Sequence, residues 1–173
     1  NVFYYITVMN ENYVQHEAPE GCTEGVLRGI YNVPRLADAK VQLLGSGSIL
    51  REALAAQQML SDAFGIESTV WIVTSYTELR REALQVERAN FLDPEAPVQQ
   101  SYVAKQLGNE KGPVVAASDY MKTHADQIRE FIPQKYYVLG TDGFGRSDTR
   151  ENLREFFEVI RNYICFMALK SLV

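Results

Sequence analysis

Apolar positions along this chain fall into two alternating patterns. Short, nearly unbroken runs predict strands covered on both faces: Val41-Gln42-Leu43-Leu44, Thr69-Val70-Trp71-Ile72-Val73-Thr74, Val114-Val115-Ala116-Ala117 and Tyr136-Tyr137-Val138-Leu139. Between them, apolar positions return at helical spacing. Leu50, Ala53, Leu54, Leu60 and Phe64, with Gln57 in register, predict one helix, and Gly65 stops it as a left-handed cap would. Ser75 and Glu78 have capping-box spacing and open a helix towards Phe91, which Pro94 and Pro97 break. Ser101–Leu107 reads as a short helix. Ser118 suits the cap of a helix with Met121, Ala125, Ile128 and Ile132 on one face. Asp148 and Glu151 cap a helix that turns Leu153, Phe156 and Phe157 inward. The last apolar segment, from Tyr163-Ile164-Cys165-Phe166, is ambiguous in period and compatible with a helix to the end.

The first forty residues read differently. Phe3–Met9 is aromatic and β-branched and predicts a lead-in strand that Asn10-Glu11-Asn12-Tyr13 ends. Pro19 and Gly21 punctuate a polar, linker-like stretch. Glu24–Tyr31 is compatible with a short helix or a strand-like arm. Residues 1–40 are therefore expected to be a linker and lead-in strand from a preceding domain, and 41–173 an α/β domain. Strands apolar throughout, with helices between them, imply an open, doubly wound, mostly parallel sheet with helices on both faces. The chain opens in one apolar run and stops in another, which reads as a piece of something larger.

Composition narrows the function. At 173 residues, 46% hydrophobic and 23% charged, the chain suits one ordered core. A net charge of −5 repels phosphate backbones and anionic lipid, so neither nucleic acid nor membrane is expected as a partner. No apolar run reaches the roughly 20 residues of a membrane span. Cys22 and Cys165, far apart, read as thiols in a reducing cytoplasm, and His16 and His124 stand alone, without zinc-ligand spacing.

Two loops carry candidate chemistry. Gly45-Ser46-Gly47-Ser48 lies between a strand and a helix, where free N–H groups can hold an anion. It is no dinucleotide fingerprint, because Leu50 stands where the third glycine belongs and the next strand ends Val73-Thr74-Ser75 without an acid. Asp142-Gly143-Phe144-Gly145-Arg146-Ser147 follows a strand end, and Arg146 offers a planar fork to a carboxylate or phosphate. This loop reads as a structural turn, an anion contact or a domain interface. Asp142-Gly143 lacks the leading glycine and the correctly spaced Asn of a thiamine-diphosphate motif; Asn152 and Asn162 follow too soon. The acids Glu11, Glu17, Glu110 and Asp119 read as solvated surface, and Tyr4, Tyr5, Tyr136 and Tyr137 as strand residues in the core or an interface.

Several of these segments, in order, resemble one family. Tyr4–Tyr13 with Pro19-Glu20-Gly21, Val41–Arg51, Val73–Leu79, Ala117–Lys122 and above all Leu139–Phe157 are similar to the last domain, and the junction before it, of the homodimeric-type pyruvate dehydrogenase decarboxylase component. More distantly the layout resembles transketolase C-terminal domains. Beyond Val159 the sequence departs from the family's pattern. The resemblance implies a parent enzyme using thiamine diphosphate and Mg²⁺ to decarboxylate pyruvate and acetylate the lipoyl arm of the acetyltransferase component. It implies a cytoplasmic homodimer feeding on the product of glycolysis. This domain would be non-catalytic, bind no cofactor or metal itself, and pack against other domains and the second subunit. A stand-alone anion- or nucleotide-binding module and an interaction domain of another complex are the other readings. One large exposed apolar face, favouring self-association, is expected where neighbouring domains would sit.

Overall fold

A computed structural model describes residues 3–6, 8, 12–15, 17–33 and 38–173. Among them five strands form one sheet: β1 (Ile30–Asn32), β2 (Val41–Gly45), β3 (Ser68–Val73), β4 (Val114–Ala117) and β5 (Tyr136–Leu139), in the order β1-β3-β2-β4-β5. β2 to β5 are parallel and β1 runs antiparallel along β3. The helices are α1 (Thr23–Arg28), α2 (Leu50–Phe64), α3 (Tyr76–Leu92), α4 (Tyr102–Leu107), α5 (Lys122–Asp126), α6 (Arg150–Phe156) and α7 (Arg161–Ser171). This is the expected doubly wound, mostly parallel α/β architecture.

The pleat divides the core. Val41 and Leu43 of β2, with Val70, Val115 and Ala117, meet Ala53, Ala56 and Leu60 of α2 and Ile164, Cys165 and Ala168 of α7. Leu44, Trp71, Val114 and Ala116 face the other way, against Leu79 and Ala83 of α3, Val103 and Leu107 of α4 and Ala125 of α5. Gln42 is buried on that second face because both ends of its amide are used: Trp71 Nε1 donates to its Oε1 at 2.9 Å, and its Nε2 donates to the Lys111 carbonyl at 3.0 Å. Gly45 lets α2 start against the sheet, since a Cβ there would lie 2.9 Å from Leu50 Cα.

Several local expectations change. The strand over Phe3–Met9 is not formed by its described residues, 3–6 and 8, which are exposed and pair with no strand; Thr7 and Met9 lie outside the described residues, as do Asn10, Glu11 and His16. Its composition favours a pleated ribbon, but a strand needs a neighbour to bond. Tyr4 and Tyr5 are accordingly exposed, whereas Tyr136 is buried. Glu24–Tyr31 resolves into both of its readings, α1 and the start of β1. Ser75 does cap α3, accepting from Glu78 N at 3.1 Å. Ser118 caps no helix: its hydroxyl accepts from Tyr120 N, and α5 begins only at Lys122. Thr149, rather than Asp148, caps α6. Phe156 is half-exposed, not inward. The last segment is helical, and both cysteines are free.

Candidate functional site

The chain leaves β2 towards the α2 face of the sheet and leaves its neighbour β4 towards the α5 face. Between such divergent strand ends an open sheet forms a crevice at its carboxyl edge. Asp119, just beyond β4, stands in it, and Ser48 Oγ donates to Asp119 Oδ2 at 3.1 Å. The loop after β5 is fastened alongside. Thr141 N donates to the Tyr120 carbonyl at 2.9 Å, Thr141 Oγ1 to the Asp119 carbonyl at 2.6 Å, and Lys122 N to Asp142 Oδ1 at 2.9 Å. Gly140 makes this approach possible, because a Cβ there would sit 2.7 Å from the Tyr120 carbonyl oxygen.

On one side of Asp119 lies a cleft of about 290 Å³ whose lining includes Ser48, Thr141, Arg146, Arg150 and Arg154. Arg146 stacks its guanidinium over the Phe156 ring at 4.0 Å. Behind the cleft, Glu52 of α2 is 4% exposed and shared by two arginines. Arg161 donates to it through Nε at 2.8 Å, Nη2 at 3.2 Å and the backbone N at 3.1 Å, while Arg154 Nη1 stands 3.7 Å away. Arg154 Nη2 is buried with no hydrogen-bond partner. Burial works to raise the Glu52 carboxyl, but the hydrogen bonds from Arg161 and the charges of Arg161 and Arg154 outweigh it and hold the group below its ordinary value.

On the other side of Asp119 a cleft of about 340 Å³ is lined by Ser46, Gly47, Ser75, Tyr76 and His124. Asp119 lines it as well, and among its described lining residues there is no arginine or lysine. His124 meets the Tyr76 ring edge-on at 5.4 Å and lies tilted on Tyr120 at 4.8 Å. The Tyr76 hydroxyl is buried beside Tyr136 and Ser46 without a hydrogen bond of good geometry, and burial pushes it up, so it stays neutral.

The two glycine loops of the sequence thus meet across Asp119. Ser48 joins Gly143, Gly145 and Arg146 in the arginine cleft. Ser46 and Gly47 belong to the cleft beside His124, and Gly45 ends β2 as a packing residue. Asp142 is tied to Lys122, Ser147 lines a second hollow with Arg146 and Asp148, and Phe144 is 96% exposed at the loop's tip. Three lining residues were not singled out from the sequence. Asp119 was read as solvated surface, yet it is half-buried between the clefts. Arg150 and Arg154 are four residues apart and share one face of α6, a spacing that offered a usable signal, whereas Arg146 lies in the loop before that helix.

Comparison with known proteins agrees with the fold. The family model described as "Transketolase-like TK C-terminal domain" matches residues 29–160. The "Pyruvate dehydrogenase E1 component" of Pseudomonas aeruginosa is 53% identical over 176 residues, covering 99% of this chain and 20% of that protein. The protein of the same name from Escherichia coli K12 is 48% identical over 175 residues, with the same coverage. The chain thus spans about a fifth of the length of these relatives. Among solved structures, transketolase from Campylobacter jejuni aligns with a TM-score of 0.59 at 20% identity, over 84% of this chain and 19% of that one. A Pichia stipitis transketolase crystallised with sedoheptulose 7-phosphate aligns with a TM-score of 0.61 at 17% identity, over 86% and 18%. At such identities the likeness concerns the fold. On the family match, which spans most of its length, the chain belongs to the transketolase-like C-terminal domain family.

Proposed function

We propose that this chain is the C-terminal, non-catalytic domain of a thiamine-diphosphate-dependent pyruvate dehydrogenase, and that it serves dimer and interdomain packing, with residues 1–40 as the link to a preceding domain and β1, near the end of that link, completing this domain's sheet. The observation that carries this reading is the likeness to pyruvate dehydrogenase E1 components over nearly the whole chain. The parent enzyme would be a cytoplasmic homodimer that decarboxylates pyruvate and passes the acetyl group to the lipoyl arm of an acetyltransferase component. Exposed apolar side chains support a packing role: Phe144 at its loop tip, Phe91 and Leu92 at the end of α3, and Phe166 on α7. Phe144 would be the anchor of the interface reading of its loop.

Thiamine diphosphate with its Mg²⁺ does not fit the donors of this domain. Asp142 is occupied by Lys122, through its backbone N and an ion pair at 3.9 Å, and the Asn152 amide donates to Asp148. Among the described residues no group of three His, Cys, Asp or Glu side chains is placed to hold a metal ion. The cofactor would be held by other parts of the longer enzyme. No helix among the described residues is long and apolar enough to cross a membrane.

The test is to express the longer protein that carries this chain, whole and truncated before Val41. The whole enzyme should be a dimer that decarboxylates pyruvate with thiamine diphosphate and Mg²⁺. The truncated form should lose dimer stability. A whole protein inert towards pyruvate would overturn the reading, as would a truncated form that dimerises equally well.

A further inference from the structure

The loop after β5 presents more than an apolar tip. Its root is fixed: Thr141 is bonded to the carbonyls of Asp119 and Tyr120, and Asp142 to the backbone N of Lys122. Beyond that root the chain stands clear, since a Cβ on Gly143 or Gly145 would meet no atom within 4 Å. Phe144, between the two glycines, is exposed. Arg146 lies over the half-exposed Phe156 ring, and among the described residues it has no acidic partner. The ring fixes where the guanidinium sits and leaves its charge for a carboxylate from outside. An exposed phenyl ring beside an oriented arginine, on a loop ordered at its base, has the make-up of the core of a protein–protein contact.

The lead-in decides which partner. Tyr13 is half-buried, with Arg51 of α2's first turn over its ring at 4.9 Å. That turn lies at the carboxyl edge of the sheet, the edge that also carries the loop after β5. The segment entering this domain therefore meets the same edge as Phe144 and Arg146. We propose that the preceding domain of the same chain packs on this carboxyl edge, taking Phe144 into an apolar pocket and setting a carboxylate against Arg146. This rests on residues 1–40 being the link to such a domain.

Limited digestion of the longer enzyme with chymotrypsin, which cuts after aromatic residues, tests it by reading how well Tyr13 is covered. Phe144→Ser and Arg146→Gln should each speed cleavage at Tyr13 about tenfold, with the dimer dissociation constant within about threefold of that of the unsubstituted enzyme. Both alter exposed side chains. The same substitutions in the 173-residue chain alone should leave cleavage at Tyr13 unchanged, because no preceding domain is there to be released. Unchanged cleavage of the longer enzyme in both variants would overturn the proposal. So would equal acceleration in the isolated chain, which would make the effect local. A weakened dimer with unchanged cleavage would overturn the assignment to the same chain and place the contact in the partner subunit. Cleavage is read whether or not the enzyme decarboxylates pyruvate, so failure of this contact and failure of the parent reading are told apart.

Discussion

The two clefts that flank Asp119 share that residue and their place at the carboxyl edge of the sheet, and differ in nearly everything else. Both lie where the chain diverges from β2 and β4, so both owe their place to sheet topology. One is lined by three arginines over a buried carboxylate, and the other by tyrosine, histidine and serine. Topology therefore fixes where a ligand can sit, while side chains from loops and helices distant in sequence decide what can be held.

The largest effect should come from the charged side. Glu52→Ala would leave Arg154 and Arg161 without their shared acid and should cost about 3 kcal/mol in urea unfolding, near the low end for a broken buried pair because Arg161 is half-exposed. Acid should act on the same group. Its pKa in the fold lies below the ordinary 4.5, so its contribution is complete above that value and is lost as pH falls through the depressed one. Stability measured from pH 6 downward should therefore decline below about 4.5 in the parent chain and more gently in Glu52→Gln. The side beside His124 should respond in the opposite sense. Tyr76→Phe removes a buried hydroxyl without a good partner and should be neutral or stabilising by about 1 kcal/mol or less. A loss of 2 kcal/mol would mean that this hydroxyl is well bonded. Phe144→Ser, at the tip of the loop, should change the stability of this chain by no more than about 0.5 kcal/mol. In the longer enzyme it should weaken dimer or domain association, measured by analytical ultracentrifugation.

How far the sequence revealed this depends on the range of the interaction. β2, β4 and β5 were legible because parallel strands covered on both faces are apolar at successive positions, and the Ser75 cap because its partner is three residues away. β1 was only half legible: of its three residues one is buried and two are half-buried, so alternation has no room to show. The Phe3–Met9 run carries strand composition, but composition does not supply a neighbouring strand. α5 starts late because Ser118 uses its hydroxyl on a tight turn before the helix begins, and it ends at Asp126, short of Ile128 and Ile132. In the candidate site, both glycine loops stood out, and the four-residue spacing of the arginines was open to view. The Glu52–Arg161 pairing joins residues 109 apart and leaves no local trace. Nor did sequence show that Asp119 would lie between two clefts rather than in solvent.

The division of labour proposed here is tested most directly by supplying this chain alone with pyruvate, thiamine diphosphate and Mg²⁺ and following carbon dioxide release. The account predicts no release above the protein-free rate, together with no saturable thiamine diphosphate binding by calorimetry. Catalytic turnover by the isolated chain would contradict it.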